Sequence, residues 1–112
     1  MAAASPDNSL LPPFADAWNR FFPNLPEPEA RAVYRRLTPQ PFGPYLEAAT
    51  VGIDMVAVPR SYILMTDDRT YPPPVAQSFA AAAGVAATQL DGDHCAMLTD
   101  PDLLVETLLA AT

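Results

Sequence analysis

Cysteine and basic residues are scarce in this sequence, and each shortage argues against a class of protein. The only cysteine is Cys95, so the chain has no internal disulfide and we expect a reducing compartment, the cytoplasm. Lysine is absent, and the six arginines are outnumbered by 13 Asp and Glu residues, which gives a formal net charge of −7. Because nucleic-acid binding depends on a basic surface that neutralises phosphates, we expect no nucleic-acid partner.

Long apolar runs and the common ligand-binding motifs are missing as well. No run reaches the roughly 18 apolar residues that a membrane-spanning helix needs, so we expect no membrane partner. The N-terminal MAAASPDN lacks the basic and apolar regions of a signal peptide. One histidine, one cysteine and scattered carboxylates do not match zinc or calcium ligand spacing, and no glycine-rich phosphate loop occurs. We therefore expect neither a metal nor a cofactor.

Hydrophobic residues and proline, by contrast, are abundant. Half of the 112 residues are hydrophobic, which is enough for one domain with a core, and most of the 14 prolines precede residue 75. We expect a mobile N-terminus at residues 1–8 and short helices within residues 9–57. An apolar stripe at helical spacing consists of Phe14, Trp18, Phe21 and Phe22. A second helix is predicted with Pro28 in its first turn.

Residues 58–112 alternate between strand and helix patterns. The unbroken apolar run within 61–66 predicts a buried strand, followed by a helix at 75–84 that Gly84 ends. A second strand at 85–90, a loop and a helix at 103–111 follow, with Thr99 or Asp100 as the predicted N-cap. This order predicts an α/β fold with a parallel sheet. Two parallel strands leave a sheet edge and apolar faces uncovered, so we expect another chain or oligomerisation to complete the sheet.

Polar side chains follow both predicted strands. Asp67 and Asp68 come after the first strand, and His94 comes after the second. Because ligands gather at the carboxyl ends of parallel strands, a carboxylate and an imidazole would meet at one sheet edge. An Asp paired with a His fixes the tautomer of the ring and makes it a competent base. Spacing alone does not establish such a pair, and all three residues could be ordinary loop residues.

Two motifs in this region resemble a known family. TDDRTYP (66–72) is similar to a T-[DE]-D-x-x-x-P turn, and GDHCAML (92–98) is similar to a G-x-D-H-x-x-M-L turn. Both are typical of the C-terminal part of α/β-hydrolases in the methylesterase and hydroxynitrile lyase branch. The resemblance implies that Asp68 is the triad acid and His94 the triad base. It also implies that residues 9–57 contain a cap over the active site, which rests mostly on LLPPF and RLTPQPFGPYLE.

The nucleophile of that family is missing from this sequence. It lies in a G-x-S-x-G turn, and each serine here lacks the flanking glycines. Cys95 is expected to be a small buried hydrophobe rather than a substitute. The resemblance thus implies a cap and an acid–base pair without the half of the hydrolase that bears the nucleophile.

Three functions follow from these observations. In the first, the chain supplies cap, Asp68 and His94 to an esterase or lactonase, and a partner chain or a removed N-terminal portion supplies the nucleophile. In the second, it is a homo-oligomeric module that binds an apolar ligand or transfers protons as an isomerase, cyclase or lyase. In the third, the chain is a non-catalytic relic or a truncated gene product. The residues predicted to bind a small apolar ester-like substrate are Phe14, Trp18, Phe42 and Met97, although most aromatic residues of the segment could instead form its core.

Overall fold

The first part of the chain folds into short helices beside a small antiparallel sheet. The computed structural model describes residues 3–4 and 9–111. Of the predicted mobile N-terminus only Ala3–Ala4 (strand β1) lies in that range, and the rest of this prediction falls outside the described residues. The next elements are strand β2 (Ser9–Leu11), helices α1 (Phe14–Phe21) and α2 (Glu27–Tyr34), strand β3 (Gln40–Pro41), helix α3 (Gly43–Leu46) and a 3-10 turn (Ile53–Met55).

Helices α1 and α2 pack against each other through small side chains. Ala17 in α1 and Ala30 in α2 are fully buried together with Phe22, which directly follows α1. Helix α2 starts after Pro26 and carries Pro28 in its first turn, as predicted, because proline has no N–H to leave unpaired there. The small sheet, ordered β1-β2-β3, was not predicted; its strands are two or three residues long.

The second part of the chain has the predicted order of strand, helix, strand and helix. Its elements are strand β4 (Tyr62–Met65), helix α4 (Pro73–Ala82), strand β5 (Ala87–Leu90), helix α5 (Ala96–Thr99) and helix α6 (Pro101–Ala110). Strands β4 and β5 are parallel, with Tyr62 opposite Ala87 and Met65 opposite Leu90. This confirms the α/β class. Helix α5 lies where the sequence predicted a loop.

Local signals define the helix ends in this part. Gly84 follows α4 with a φ of 72°, a backbone conformation that favours glycine, so the predicted C-cap is confirmed. The carboxylate of Asp100 accepts a hydrogen bond from the N–H of Leu103 at 3.2 Å, which makes Asp100 the N-cap of α6. Both α4 and α6 begin at a proline, earlier than the predicted 75 and 103.

The core of the sheet region is small. Leu64 and Leu90, one from each strand, are buried with Ala76, Ala80 and Ala96 from the helices. Among the described residues, none of the helices has the length and apolarity that crossing a bilayer requires.

Candidate active site

Asp68 is held by the turn that follows strand β4. Its Oδ1 accepts hydrogen bonds from the backbone N–H groups of Thr70 and Tyr71, both at 2.8 Å. Such a turn, in which an Asp side chain binds the backbone two and three residues later, fixes the carboxylate without help from a distant element. The residue is only 9% exposed. One carboxylate oxygen is therefore used by the turn, and the other is left to face the neighbouring strand.

His94 follows strand β5 at the same edge of the sheet. The parallel ladder continues past the strands, with Thr66 N–H donating to the carbonyl of Leu90 and Asp67 N–H to that of Gly92, both at 2.9 Å. The two following segments, the acid turn (66–72) and the histidine loop (91–95), therefore leave the sheet side by side. Nδ1 of His94 lies 3.0 Å from Oδ2 of Asp68. The structure thus brings the two predicted residues together.

The contact with Asp68 defines the state of the imidazole ring. A carboxylate accepts, so Nδ1 is the donor and the neutral ring leaves Nε2 as an acceptor. None of the residues that the structure describes forms a hydrogen bond to Nε2. The rings of Phe21 and Tyr71 flank the imidazole, each with a centroid distance of 5.7 Å. The histidine side chain remains 29% exposed, so Nε2 can accept a proton from a group that approaches it.

Asp67, the neighbouring carboxylate, does not take part in this pair. Its Oδ1 lies 3.6 Å from Nε of Arg69. Arg69 in turn donates to the side-chain oxygen of Asn19 at 2.6 Å. The choice of the second acidic residue, which the resemblance implied, agrees with this geometry.

The C-terminal end of α1 is bonded to both segments of the site. The carbonyl of Phe21 accepts from the N–H of Cys95 at 3.0 Å, and the carbonyl of Arg20 accepts from the hydroxyl of Thr70 at 3.3 Å. The last carbonyls of a helix have no partner within the helix, so they are available for such contacts. Helix α1, the acid turn and the histidine loop therefore form one connected unit.

Sequence reasoning missed Asp93, which precedes the histidine and is fully buried, with 0% exposure. Its Oδ1 accepts from the N–H of Cys95 at 3.1 Å and the hydroxyl of Thr99 at 3.0 Å, and its Oδ2 accepts from the N–H of Asn24 at 3.1 Å. A signal was available, because this Asp is one of the fixed letters in the turn that carries the resemblance. Its burial could not be predicted, because a loop carboxylate is usually solvated.

A cavity of about 330 Å³ lies beside the histidine. His94 and Cys95 form part of its wall, and most of the other lining residues are apolar. Those lining residues are Leu10, Leu11, Pro12, Phe21, Phe22, Val33, Leu37, Thr38, Gln40, Tyr45 and Leu98. A concave apolar site with a few polar groups is the usual form of a small-molecule pocket.

The four residues predicted to contact substrate lie elsewhere. Phe14 and Trp18 stack at 5.5 Å within the core of the helix pair, where the indole N–H of Trp18 donates to the carbonyl of Leu25. Phe42 and Met97 are 41% and 54% exposed. None of the four lines the cavity that contains His94. Their role in binding stays a prediction, and the cavity wall consists of other apolar residues such as Phe21 and Tyr45.

The thiol of Cys95 is poorly suited to be a nucleophile. Burial, together with the charges of Asp93 and Asp68, raises the pKa of the thiol from 9.0 to about 11. The reactive thiolate is therefore scarce at neutral pH. No three or more His, Cys, Asp or Glu side chains come together as metal ligands within the described part of the chain.

The chain is similar to known proteins in its structure and not in its sequence. No family model matches the sequence, and no curated protein matches it. The fold is similar to a crystal structure of a histidine-to-alanine mutant of polyneuridine aldehyde esterase, with a TM-score of 0.79 and 18% sequence identity. That match covers 100% of this chain and 47% of the esterase chain. A crystal structure of polyneuridine aldehyde esterase gives a TM-score of 0.78 at 19% identity, covering 98% of this chain and 46% of the other.

These likenesses show the fold. The chain spans about half the length of the solved esterases that it matches. It has a partial α/β-hydrolase fold, which confirms the fold that the sequence resemblance implied.

Proposed function

We propose that the chain supplies the acid and the base of a carboxylic ester or lactone hydrolase whose nucleophile lies outside these residues. The observation that carries the proposal is the 3.0 Å contact between Nδ1 of His94 and Oδ2 of Asp68 beside an apolar cavity. The fold shared with polyneuridine aldehyde esterase supports it. The single cysteine supports a cytoplasmic location.

In this proposal, His94 takes up and gives back one proton in each of two half-reactions. Nε2 takes the proton from the nucleophile's hydroxyl as its oxygen attacks the ester carbonyl, and Asp68 stabilises the resulting imidazolium. The imidazolium then gives that proton to the leaving alcohol, which leaves an acyl-enzyme. A water molecule then gives a proton to the same Nε2 as its oxygen attacks the acyl carbonyl. The imidazolium returns this proton to the nucleophile's oxygen as the acyl bond breaks, which releases the acid and restores the nucleophile.

The cavity bears on the kind of ester that would fit. Its volume of about 330 Å³ is near the lower end of the range for small-molecule sites, and its wall is mostly apolar. Phe21 contributes both to this wall and to the surroundings of the His94 ring. These features favour a small ester or lactone with an apolar acyl or alcohol group.

The nucleophile would come from a preceding segment of a longer polypeptide or from a partner chain. In either case, it must approach Nε2 of His94 and bring its own oxyanion-hole donors and the strands that continue the sheet beside β4 and β5. The coding sequence adjoining this one is the first place to search for a G-x-S-x-G turn.

The test is to express the chain together with that adjoining sequence and to measure ester hydrolysis and labelling by a fluorophosphonate probe. We expect both with the two parts together and neither with this chain alone. Replacing His94 by Ala should lower turnover of a p-nitrophenyl ester by on the order of 10³-fold or more. A matched control is Asp91→Asn, an exposed position in the same loop. Undiminished turnover in His94→Ala would refute the proposal.

A second candidate is proton transfer by a homo-oligomer without a covalent intermediate. It is favoured by one observation: this chain alone forms both the His94–Asp68 pair and an apolar cavity beside it. An isomerase, cyclase or lyase needs a base of this kind but no serine. The fluorophosphonate probe separates the two candidates, because a discrete, catalytically active oligomer that the probe does not label would favour the second.

A further inference from the structure

The Asp93 side chain is the most deeply buried carboxylate of the described residues, and it joins three parts of the structure. Its exposure is 0%, and the described residues offer it no basic side chain as an ion-pair partner. Its partners are Asn24 in the turn between α1 and α2, Cys95 in the histidine loop and Thr99 in α5. A buried carboxylate without a cation is tolerated only when its oxygens are well supplied with hydrogen bonds.

The partners of Asp93 divide between the two halves of the fold. The bond from Asn24 crosses 69 positions of sequence and reaches Oδ2 at 3.1 Å, whereas both bonds to Oδ1 come from residues close to His94. Cys95 N–H is shared between Oδ1 of Asp93 and the carbonyl of Phe21. The residues before and after His94 are thus both attached to the helix pair, while the histidine itself faces Asp68.

We infer that Asp93 is a positioning residue, which attaches the histidine loop to the turn between α1 and α2 and so holds the His94 ring against Asp68. The inference rests on the proposed role of His94 as a base. Oδ2 of Asp93 fixes the loop relative to the helix pair, and Oδ1 fixes its backbone just after the histidine. Loss of either contact allows the ring to rotate away from Oδ2 of Asp68 without unfolding the sheet.

The variant that isolates this role is Asp93→Asn. An amide has one oxygen and one NH2 group, so either orientation sets an N–H against a backbone N–H, that of Asn24 or that of Cys95. The side chain keeps its size, so no cavity forms. The matched control is Asp91→Asn, because Oδ1 of Asp91 accepts a hydrogen bond from the hydroxyl of Thr66 at 2.9 Å, and an amide oxygen can still accept it.

The first readout is the His94 ring in ¹H–¹⁵N NMR spectra of the chain, recorded well below its unfolding temperature. We expect one tautomer with the proton on Nδ1 in the unmodified chain and in Asp91→Asn, and an average of both tautomers in Asp93→Asn. If the Asp93 carboxylate is purely structural, Asp93→Asn should lower the unfolding temperature and leave the ring signals of the folded state unchanged. That result would overturn the inference.

The second readout is kinetic and uses the complete hydrolase. Asp93→Asn should lower kcat by about 10²-fold with little change in KM, because misplacement of the base affects the transition state more than substrate binding. The two readouts separate the two proposals. A tautomer change without any hydrolase activity would uphold the positioning role and reject the proposed function.

Hydrogen exchange in the unmodified chain covers the case in which Asp93→Asn does not fold. If one carboxylate holds both groups, the amides of Asn24 and Cys95 should exchange together, through a common opening. Thr99→Val removes the hydroxyl that donates to Oδ1 of Asp93 at 3.0 Å and lies 3.4 Å from the carbonyl of Cys95, and it should accelerate both amides in parallel. Independent exchange of the two amides, with Cys95 much the faster, would contradict the inference.

Discussion

The two oxygens of Asp68 have different partners, so replacing the carboxylate by an amide tests the contact with His94 separately from the turn. In Asp68→Asn the amide oxygen must face the N–H groups of Thr70 and Tyr71, which leaves its NH2 towards Nδ1 of His94. Nδ1 then has to accept, so the ring proton moves to Nε2 and the base is lost. We expect kcat of the complete hydrolase to fall by on the order of 10⁴-fold, measured with a p-nitrophenyl ester.

A control for this prediction lies at the preceding residue. Asp67→Asn also removes one carboxylate from the acid turn, but its contact with Arg69 is 3.6 Å long and exposed to solvent. Its kcat should stay within a few-fold of the unmodified enzyme. Equal losses of kcat in Asp67→Asn and Asp68→Asn would indicate that activity depends on the negative charge of the acid turn and not on the tautomer of His94.

The reactivity of Cys95 gives a second prediction at the level of single residues. Its pKa of about 11 lies above the ordinary value of 9.0, so the thiolate fraction at pH 8 is about 100-fold lower than in a free peptide. Alkylation by iodoacetamide at pH 8 should be slower by about that factor, and by more where burial also blocks the reagent. A rate equal to that of a cysteine peptide would contradict the raised pKa.

The same pKa predicts how stability depends on pH. The folded chain holds the thiol proton more tightly than the unfolded chain, so the unfolded chain ionises first as pH rises. The free energy of unfolding should therefore decrease between about pH 9 and 11. Urea unfolding of the unmodified chain and of Cys95→Ala, which lacks this thiol, measures the contribution as a difference.

Residues of the site differed in how far they could be predicted. Asp68 and His94 were predictable because each follows a strand pattern and belongs to a motif. The role of Asp93 in the packing could not be read from the sequence, since its partners Asn24 and Thr99 are unremarkable polar residues and one is 69 positions away. The sequence could not distinguish cavity residues from core residues, because an apolar side chain such as Phe21 is suited to either position.

At the scale of elements, Gly92 in the histidine loop lies too close to strand β5 for a side chain to fit. A Cβ on Gly92 would lie 2.7 Å from Cδ2 of Leu90, which is buried in strand β5. Gly92→Ala should lower the free energy of unfolding by about 1–3 kcal/mol, measured by urea titration, because the core side chain must leave its rotamer. Gly43→Ala is the control, since nothing lies within 4 Å of a Cβ there. Equal stability of both variants would show that Leu90 relaxes freely.

Elements with strong local signals were predicted, and those that depend on tertiary pairing were not. Strand β4, helix α4 and helix α6 follow from an apolar run, a glycine C-cap and an Asp-Pro start. Strands β1 and β3 are two residues each, and β3 includes Pro41. Such strands exist because β2 lies between them, and no periodicity can appear in two residues.

At the scale of the whole molecule, the connecting segment between α2 and β4, residues 35–61, is poorly covered by the rest of the chain. Every residue from 35 to 61 is exposed. The end of this segment is held by Arg60, whose guanidinium donates to the carbonyls of Ile53, Val56 and Ala83 at 2.7–2.8 Å. Hydrogen bonds rather than burial therefore keep it in place. Apolar side chains such as Leu46 and Met55 stay in contact with water.

Exposed apolar side chains and a two-stranded parallel sheet both favour association. We expect the isolated chain to self-associate as its concentration rises, with its mass measured by size exclusion and light scattering. Leu46, which is 77% exposed, tests the connecting segment directly. Leu46→Lys should weaken self-association by about tenfold or more, because burial of a leucine contributes roughly 1.5–3 kcal/mol.

The control for this prediction is Gln77→Lys, which adds the same charge at an exposed polar position on α4 and should leave the mass profile unchanged. Equal effects of the two lysines would assign the change to the net charge of −7 rather than to apolar contact. A chain that remains monomeric at every concentration would show that neither the connecting segment nor the sheet edge drives association. Completion of the sheet by oligomerisation would then be rejected, and a separate nucleophile-bearing part would be the explanation left for the missing strands.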